Sequence, residues 1–278
     1  METTENKTLL DAGASLAGPS MIGDSEIPIF VIPDGYTVKD LEYLLPAPTR
    51  KRAAVQMHDA DSFCFYFDTH RTRDSKIYAD IDNGSERFVV LAVFDDNGGD
   101  LAGWRDHTCT LVRRPSVEWK RWNSKCRANM GQAEFATFLE ENLVDVVNAE
   151  GMPTGSEMLQ MALAFERTAD KRLKSKVNLQ SGGVRFEYVD DDNAETRTSM
   201  QVFSRFCIGI PVFDGATVAY QIEARLKYRD NSGKLSFWYE LIRPDRAFKQ
   251  AVTEELESIS IKAARTILRG TIGPAAGK

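Results

Sequence analysis

Residues 113–127, RRPSVEWKRWNSKCR, set six basic side chains (Arg113, Arg114, Lys120, Arg121, Lys125 and Arg127) around two tryptophans, Trp119 and Trp122, with one acid, Glu118. Guanidinium and ammonium groups hold phosphates and indole faces stack bases, so these eight residues form a candidate contact for single-stranded nucleic acid. A competing reading uses the same spacing. Tryptophans three apart share one helical face, where they anchor a helix on a sheet while the cations stay in water. The net charge of −6 and an acidic neighbouring segment favour the anchoring reading, because the chain as a whole repels a polyanion.

Metal and catalytic patterns are weaker. His58, His70 and His107, with the runs HDAD (58–61) and DTH (68–70), supply ligand types without a clustered pair at metal spacing. Asp59 and Asp61 suit a helix start and His70 a helix surface, so no metal ligand is assigned. EWK (118–120), with Asp106 upstream, has the Glu-x-Lys spacing of a metal-dependent nuclease, in which a strand presents both groups to one metal and one water. Pro115 and Ser116 signal instead a strand that has ended and a helix about to begin. No GxxxxGK[ST] phosphate loop is present, and GASLAG (13–18) misses the GxSxG elbow by one residue. No catalytic residue and no cofactor is assigned, which moves weight from an enzyme toward binding and assembly.

Periodicity places these residues in an α+β fold: a mixed N-terminal half, central helices, and a C-terminal antiparallel meander covered by the last helix. The expected segments are a flexible leader at 1–24, an α+β half at 25–130, a helical segment at 131–175, a sheet with its helix at 176–270, and a flexible tail at 271–278. A short strand is expected in EIPIFVIPDG and a short helix in YTVKDLEYLLP. Phe63, Phe67 and His70 lie at helical spacing. Strands are expected at KIYADI, RFVVLAVFD and HTCTLVRR, with DDNGGD as a turn. Phe135, Phe138, Leu139, Asn142, Leu143 and Val146 form one helical stripe, with Glu134, Glu140, Glu141 and Asp145 largely off it. A second helix, SEMLQMALAFERTADKRL, would be capped by Ser156.

In VAYQIEARLKYR, Val218, Tyr220, Ile222, Ala224, Leu226 and Tyr228 alternate with polar residues, as in a half-buried antiparallel strand. DNSG turns it into KLSFWYELI, and GVRFEYV and SMQVFSRFCIGIPVF precede it, about four strands in all. The last helix begins near Pro244, with Phe248, Val252, Leu256, Ile259, Ala263 and Ile267 on one face. Composition is that of a globular chain, 42% hydrophobic and 27% charged over 278 residues. Cys64, Cys109, Cys126 and Cys207 lack disulfide or CxxC spacing and read as reduced thiols. No secretory leader pattern and no membrane-length apolar run is seen, so a cytoplasmic location is expected.

PSVEWKRW (115–122), QAEFATFLEENLVDV (132–146), VNLQSGGVRFEY (177–188), FCIGIPVFDG (206–215), YQIEARLKYR (220–229) and GKLSFWYELIRPD (233–245) occur in that order. Together they resemble the YfdQ-like family of uncharacterised proteins from bacteriophages and prophages. The resemblance implies a phage-encoded protein of the host cytoplasm and supplies no catalytic residues. The function expected is a non-enzymatic accessory role, through self-association as a homo-oligomer or through binding a host or phage protein. Open sheet edges, which must be covered or paired, support association. The alternatives are a nucleic-acid-binding factor in recombination or counter-defence, and a metal-dependent nuclease.

Overall fold

Pro46 ends what precedes it, because the residue before a proline is held out of the helical region. Leu45 accordingly sits at φ −76, ψ 151, and the helix expected across YTVKDLEYLLP is, within the described residues, a single 3-10 turn at Glu42–Leu44. The computed structural model describes residues 20–21, 30–31, 41–99, 102–166, 173–176, 184–188, 199–231 and 234–273. The expected leader, apart from residues 20–21, and the expected tail beyond residue 273 lie outside them. The chain forms two compact units, Met1–Lys51 and Arg52–Lys278. In the first, β1 (Ser20–Met21) pairs antiparallel with β2 (Phe30–Val31).

Among the described residues, the second unit carries two larger sheets and a smaller three-stranded one, and its make-up is α+β as expected. Strands β3 (Ala53–Met57), β4 (Lys76–Asp82), β5 (Arg87–Val93) and β6 (His107–Val112) join β14 (Ile267–Arg269) in the order β14-β4-β5-β6-β3. The inner pairs are antiparallel and both outer pairs parallel. Alternation drives the burial: Ile77 and Ala79, Val90 and Ala92, and Cys109 and Leu111 are all buried. Helix α1 (Ala60–His70) buries Phe63 and Phe67, and its N-cap Asp59 accepts the Ser62 amide at 2.7 Å.

Strands β7 (Met130–Gly131), β11 (Arg205–Ile210), β12 (Tyr220–Asn231) and β13 (Lys234–Leu241) form an antiparallel sheet, β11-β12-β13-β7. The expected four-strand meander is corrected here. SMQVFSRFCIGIPVF breaks at Phe203–Ser204. Its first part, β10 (Ser199–Val202), pairs with β9 (Val184–Tyr188) in a separate sheet with β8 (Leu173–Lys176). The strand expected from Val218 begins at Tyr220, and Val218 is 51% exposed.

The other α-helices among the described residues are α2 (Val117–Lys125), α3 (Gln132–Glu141), α4 (Gly155–Glu166) and α5 (Pro244–Ala263). The stripe expected to run helically to Val146 stops at Glu141. There the buried Asn142 side chain donates to Phe138 O at 2.6 Å, and the chain tightens to a 3-10 turn at Leu143–Asp145. Asp145, expected off the stripe, is buried. The cap of α4 is Thr154 rather than Ser156: its hydroxyl accepts the Glu157 amide (3.3 Å), and Glu157 accepts the Thr154 amide (2.8 Å), a reciprocal capping box. Leu173, expected at the end of that helix, is in β8. Helix α5 ends where Ala264 turns left-handed (φ 48), so Ile267 leaves the helical stripe and starts β14.

Helix α5 touches both sheets' layers. Phe248 packs on Trp119 and Phe213, Tyr220 bonds Glu254, and Lys262 pairs with Asp61 on α1. Among the described residues, no helix is long and apolar enough to cross a membrane.

Candidate functional site

The basic-aromatic segment folds as expected into a strand end and a helix. Ser116 caps α2, accepting the Trp119 amide at 2.9 Å and donating to Pro211 O at 2.6 Å. The two indoles then go inward, at 1% (Trp119) and 0% (Trp122) exposure. Trp119 donates to Glu86 at 2.9 Å and Trp122 to Asp145 at 2.8 Å, and Trp122 meets Phe138 and Tyr239 edge-on. Burial raises the Asp145 carboxyl above its ordinary range, against the indole bond that lowers it. A base stacks only on an exposed ring face, so Trp119 and Trp122 drop out of the candidate contact and are the core anchors of the favoured reading. Arg113 drops out likewise. Its side chain pairs with Glu255 at 2.8 Å, where both are nearly buried, and donates to His58 O at 2.6 Å. Arg114, Lys120, Arg121 and Arg127 remain exposed. Arg121 bonds Asn142 Oδ1, and Lys125 pairs with Glu134.

The nuclease residues do not meet: Asp106 precedes β6 and Glu118 follows it, so the strand alone separates its two ends by roughly 20 Å. His70, expected on a helix surface, is half-buried against Tyr66, whose hydroxyl lies 3.1 Å from His107 Nε2. Among the described residues no three His, Cys, Asp or Glu side chains converge as metal ligands.

Within the turn DDNGGD, Asp96 is 2% exposed. It accepts from the Tyr78 hydroxyl (2.5 Å), Arg105 Nε (2.7 Å) and the Asn97 amide (2.8 Å), with Lys76 at 3.4 Å. Burial pushes its carboxyl up, but these donors together outweigh it and hold the group below the ordinary carboxylate range. Tyr78, half-buried and bonded to that charge, is pushed up to about 12.

Open space lies elsewhere. A cleft of about 520 Å³ separates the start of β12 from the first turns of α5, lined by Val218–Glu223, Ile242, Arg243, Arg246, Ala247, Gln250 and Glu254. The chain creates it by leaving the sheet early. Strand β13 pairs with β12 only as far as Ala224↔Leu241, and Ile242 N–H then donates to Glu223 O at 2.8 Å. Pro244 starts α5 and keeps Arg243 out of the right-handed helical region; Arg243 turns left-handed (φ 53, ψ 51) and grips Asp245 with two nitrogens, at 2.9 and 2.8 Å. The first residues of β12 therefore face a helix across a gap.

On the wall of that gap, Glu254 accepts from Tyr220 OH at 2.6 Å and from Gln250 Nε2 at 2.8 Å. The Tyr220 bond, then the Gln250 bond, hold the Glu254 carboxyl below its usual range, while burial and that carboxylate push the phenol up. Neither group changes protonation near neutral pH. The cleft offers fixed donors and acceptors, which suits binding rather than proton transfer.

A family model described as an uncharacterized conserved protein, DUF2303, matches residues 2–272. The chain belongs to the DUF2303 family. No curated protein and no solved structure matches it.

Sequence reasoning missed this DUF2303 cleft, placing Gln221 and Glu223 only on a strand's wet side. A usable signal was present: KLSFWYELI is shorter than the alternating run before DNSG, so the hairpin must leave the start of the longer strand unpaired on one edge.

Proposed function

We propose that this DUF2303 chain is a non-enzymatic accessory protein that works by association, with the cleft between β12 and α5 as its partner-binding surface. The single observation behind this reading is a strand edge that faces open space instead of β13, beside polar groups already locked by one another. The phage origin and host cytoplasmic setting rest on the resemblance of PSVEWKRW, FCIGIPVFDG and the other quoted segments. Replacing the exposed Ala219 by Trp would fill the cleft with little effect on the core, within about 0.5 kcal/mol of stability. The wild type, purified from cells, should retain a stoichiometric companion, either another copy or another protein, that Ala219→Trp loses. A wild type that is strictly monomeric by light scattering at micromolar concentration and carries no companion contradicts the proposal. So does an unchanged companion on the variant.

A second reading draws on Arg114, Lys120, Arg121 and Arg127, exposed on and around α2. Without the indoles it is an electrostatic contact to single-stranded nucleic acid, so the logarithm of affinity should fall linearly with that of salt. Neutralising Lys120, Arg121 and Arg127 together should abolish it. No binding of an oligonucleotide at low salt removes this reading.

A further inference from the structure

We propose that the cleft takes an extended segment of a partner protein by strand addition to β12, with a carboxylate of that segment placed at Arg246. The inference rests on the reading of the cleft as a partner site and adds the chemistry of what enters it.

Strand parity carries the first half. Tyr220, Ile222 and Ala224 pair with β11, and Leu226 N–H donates to Ser204 O at 3.0 Å, so the even residues turn their backbone groups toward β11. Glu223 turns to the other edge, where it accepts Ile242 N–H. Gln221, two residues earlier, presents its N–H and C=O to that same edge, which no strand pairs among the described residues. The Gln221 N–H and C=O, held at strand geometry, are complemented by another extended peptide, and the cleft lies beyond the point where β13 leaves β12.

Charge carries the second half. Around the cleft Arg243 is held by Asp245, Glu254 by Tyr220 and Gln250, and Glu223 lies 3.8 Å from Arg205. Arg246 is exposed, lines the cleft and has no ion pair among the described residues. It lies in the first turn of α5, whose N-terminus adds positive partial charge.

The test screens displayed linear peptides against the full chain, then measures one selected peptide N-methylated at each amide in turn. Acidic sequences should be enriched. Methylation at the amide that meets Gln221 C=O should weaken binding about tenfold, the loss of one main-chain bond, and methylation at the amides on either side of it should leave it unchanged. Arg246→Glu should shift selection to basic sequences, and Ala219→Trp should bind none. Failure to enrich any linear peptide overturns the proposal, as does tolerance of methylation at every position. A dimer that Ala219→Trp dissociates, with no peptide binding, would make the occupant a second copy and overturn it too. If a cleft-dependent companion is found whose contact segment tolerates methylation throughout, strand addition alone fails. If the companion survives Ala219→Trp, the partner site itself fails.

Discussion

Asp96 keeps its charge in the turn between β5 and β6 because a phenol, an amide and a guanidinium replace water around it. Its folded pKa lies below the unfolded value, so its contribution to stability is fully present above the unfolded carboxylate pKa and is lost as pH falls through the folded value. Asp96→Asn should cost about 2–4 kcal/mol at neutral pH, since it leaves Arg105 and Tyr78 facing a neutral amide. Below about pH 4 the gap between variant and wild type should narrow. Urea unfolding of both at neutral and acid pH measures this, and parallel stability curves would show that the carboxylate charge is not what the site uses. At this scale the sequence was least legible. Asp96 and Asp145 look like any turn or helix-surface acid, because the donors that make each buriable lie far along the chain or are backbone groups. The tryptophan spacing fits both readings; net charge favoured the anchoring one, and burial, a property of what packs on top, bears it out.

Elements were more legible, since each depends on its own periodicity. The α1, α2 and α5 faces, the hairpin β12–β13 and the strands β4, β5 and β6 follow directly from spacing of apolar residues and from Asp59, Ser116 and Pro244 at helix starts. What failed was pairing between distant segments: β14 on β4, β7 on β13 and the break between β10 and β11 depend on partners that no local pattern names. Phe138 on α3 packs against Trp122 and Tyr239 within its own chain. Phe138→Ala should cost roughly 3–5 kcal/mol and lower the melting temperature equally at every protein concentration. A loss that appears only on dilution would place the α3 face in a subunit interface instead. The buried Arg113–Glu255 pair ties β6's end to α5. Arg113→Met should cost about 3–5 kcal/mol by stranding Glu255, and adding Glu255→Leu should restore most of it. A double variant no more stable than the single one would mean that the pair is required for more than mutual compensation.

For the whole molecule, two sheets share the C-terminal helix, and the cleft follows from how that helix is reached. Strand β13 stops short of the start of β12, Arg243 and Pro244 turn the chain out of the sheet, and an unpaired edge is left facing α5. The central claim is that this edge meets a partner. A photo-crosslinking amino acid at Gln250, inside the cleft, tests it most directly, with Val144, 88% exposed and outside the cleft, as the control. In cells expressing the full chain, irradiation should give one discrete adduct from Gln250, absent from Val144 and lost when Ala219→Trp is added. No adduct from Gln250, or the same adducts from both positions, would contradict the claim.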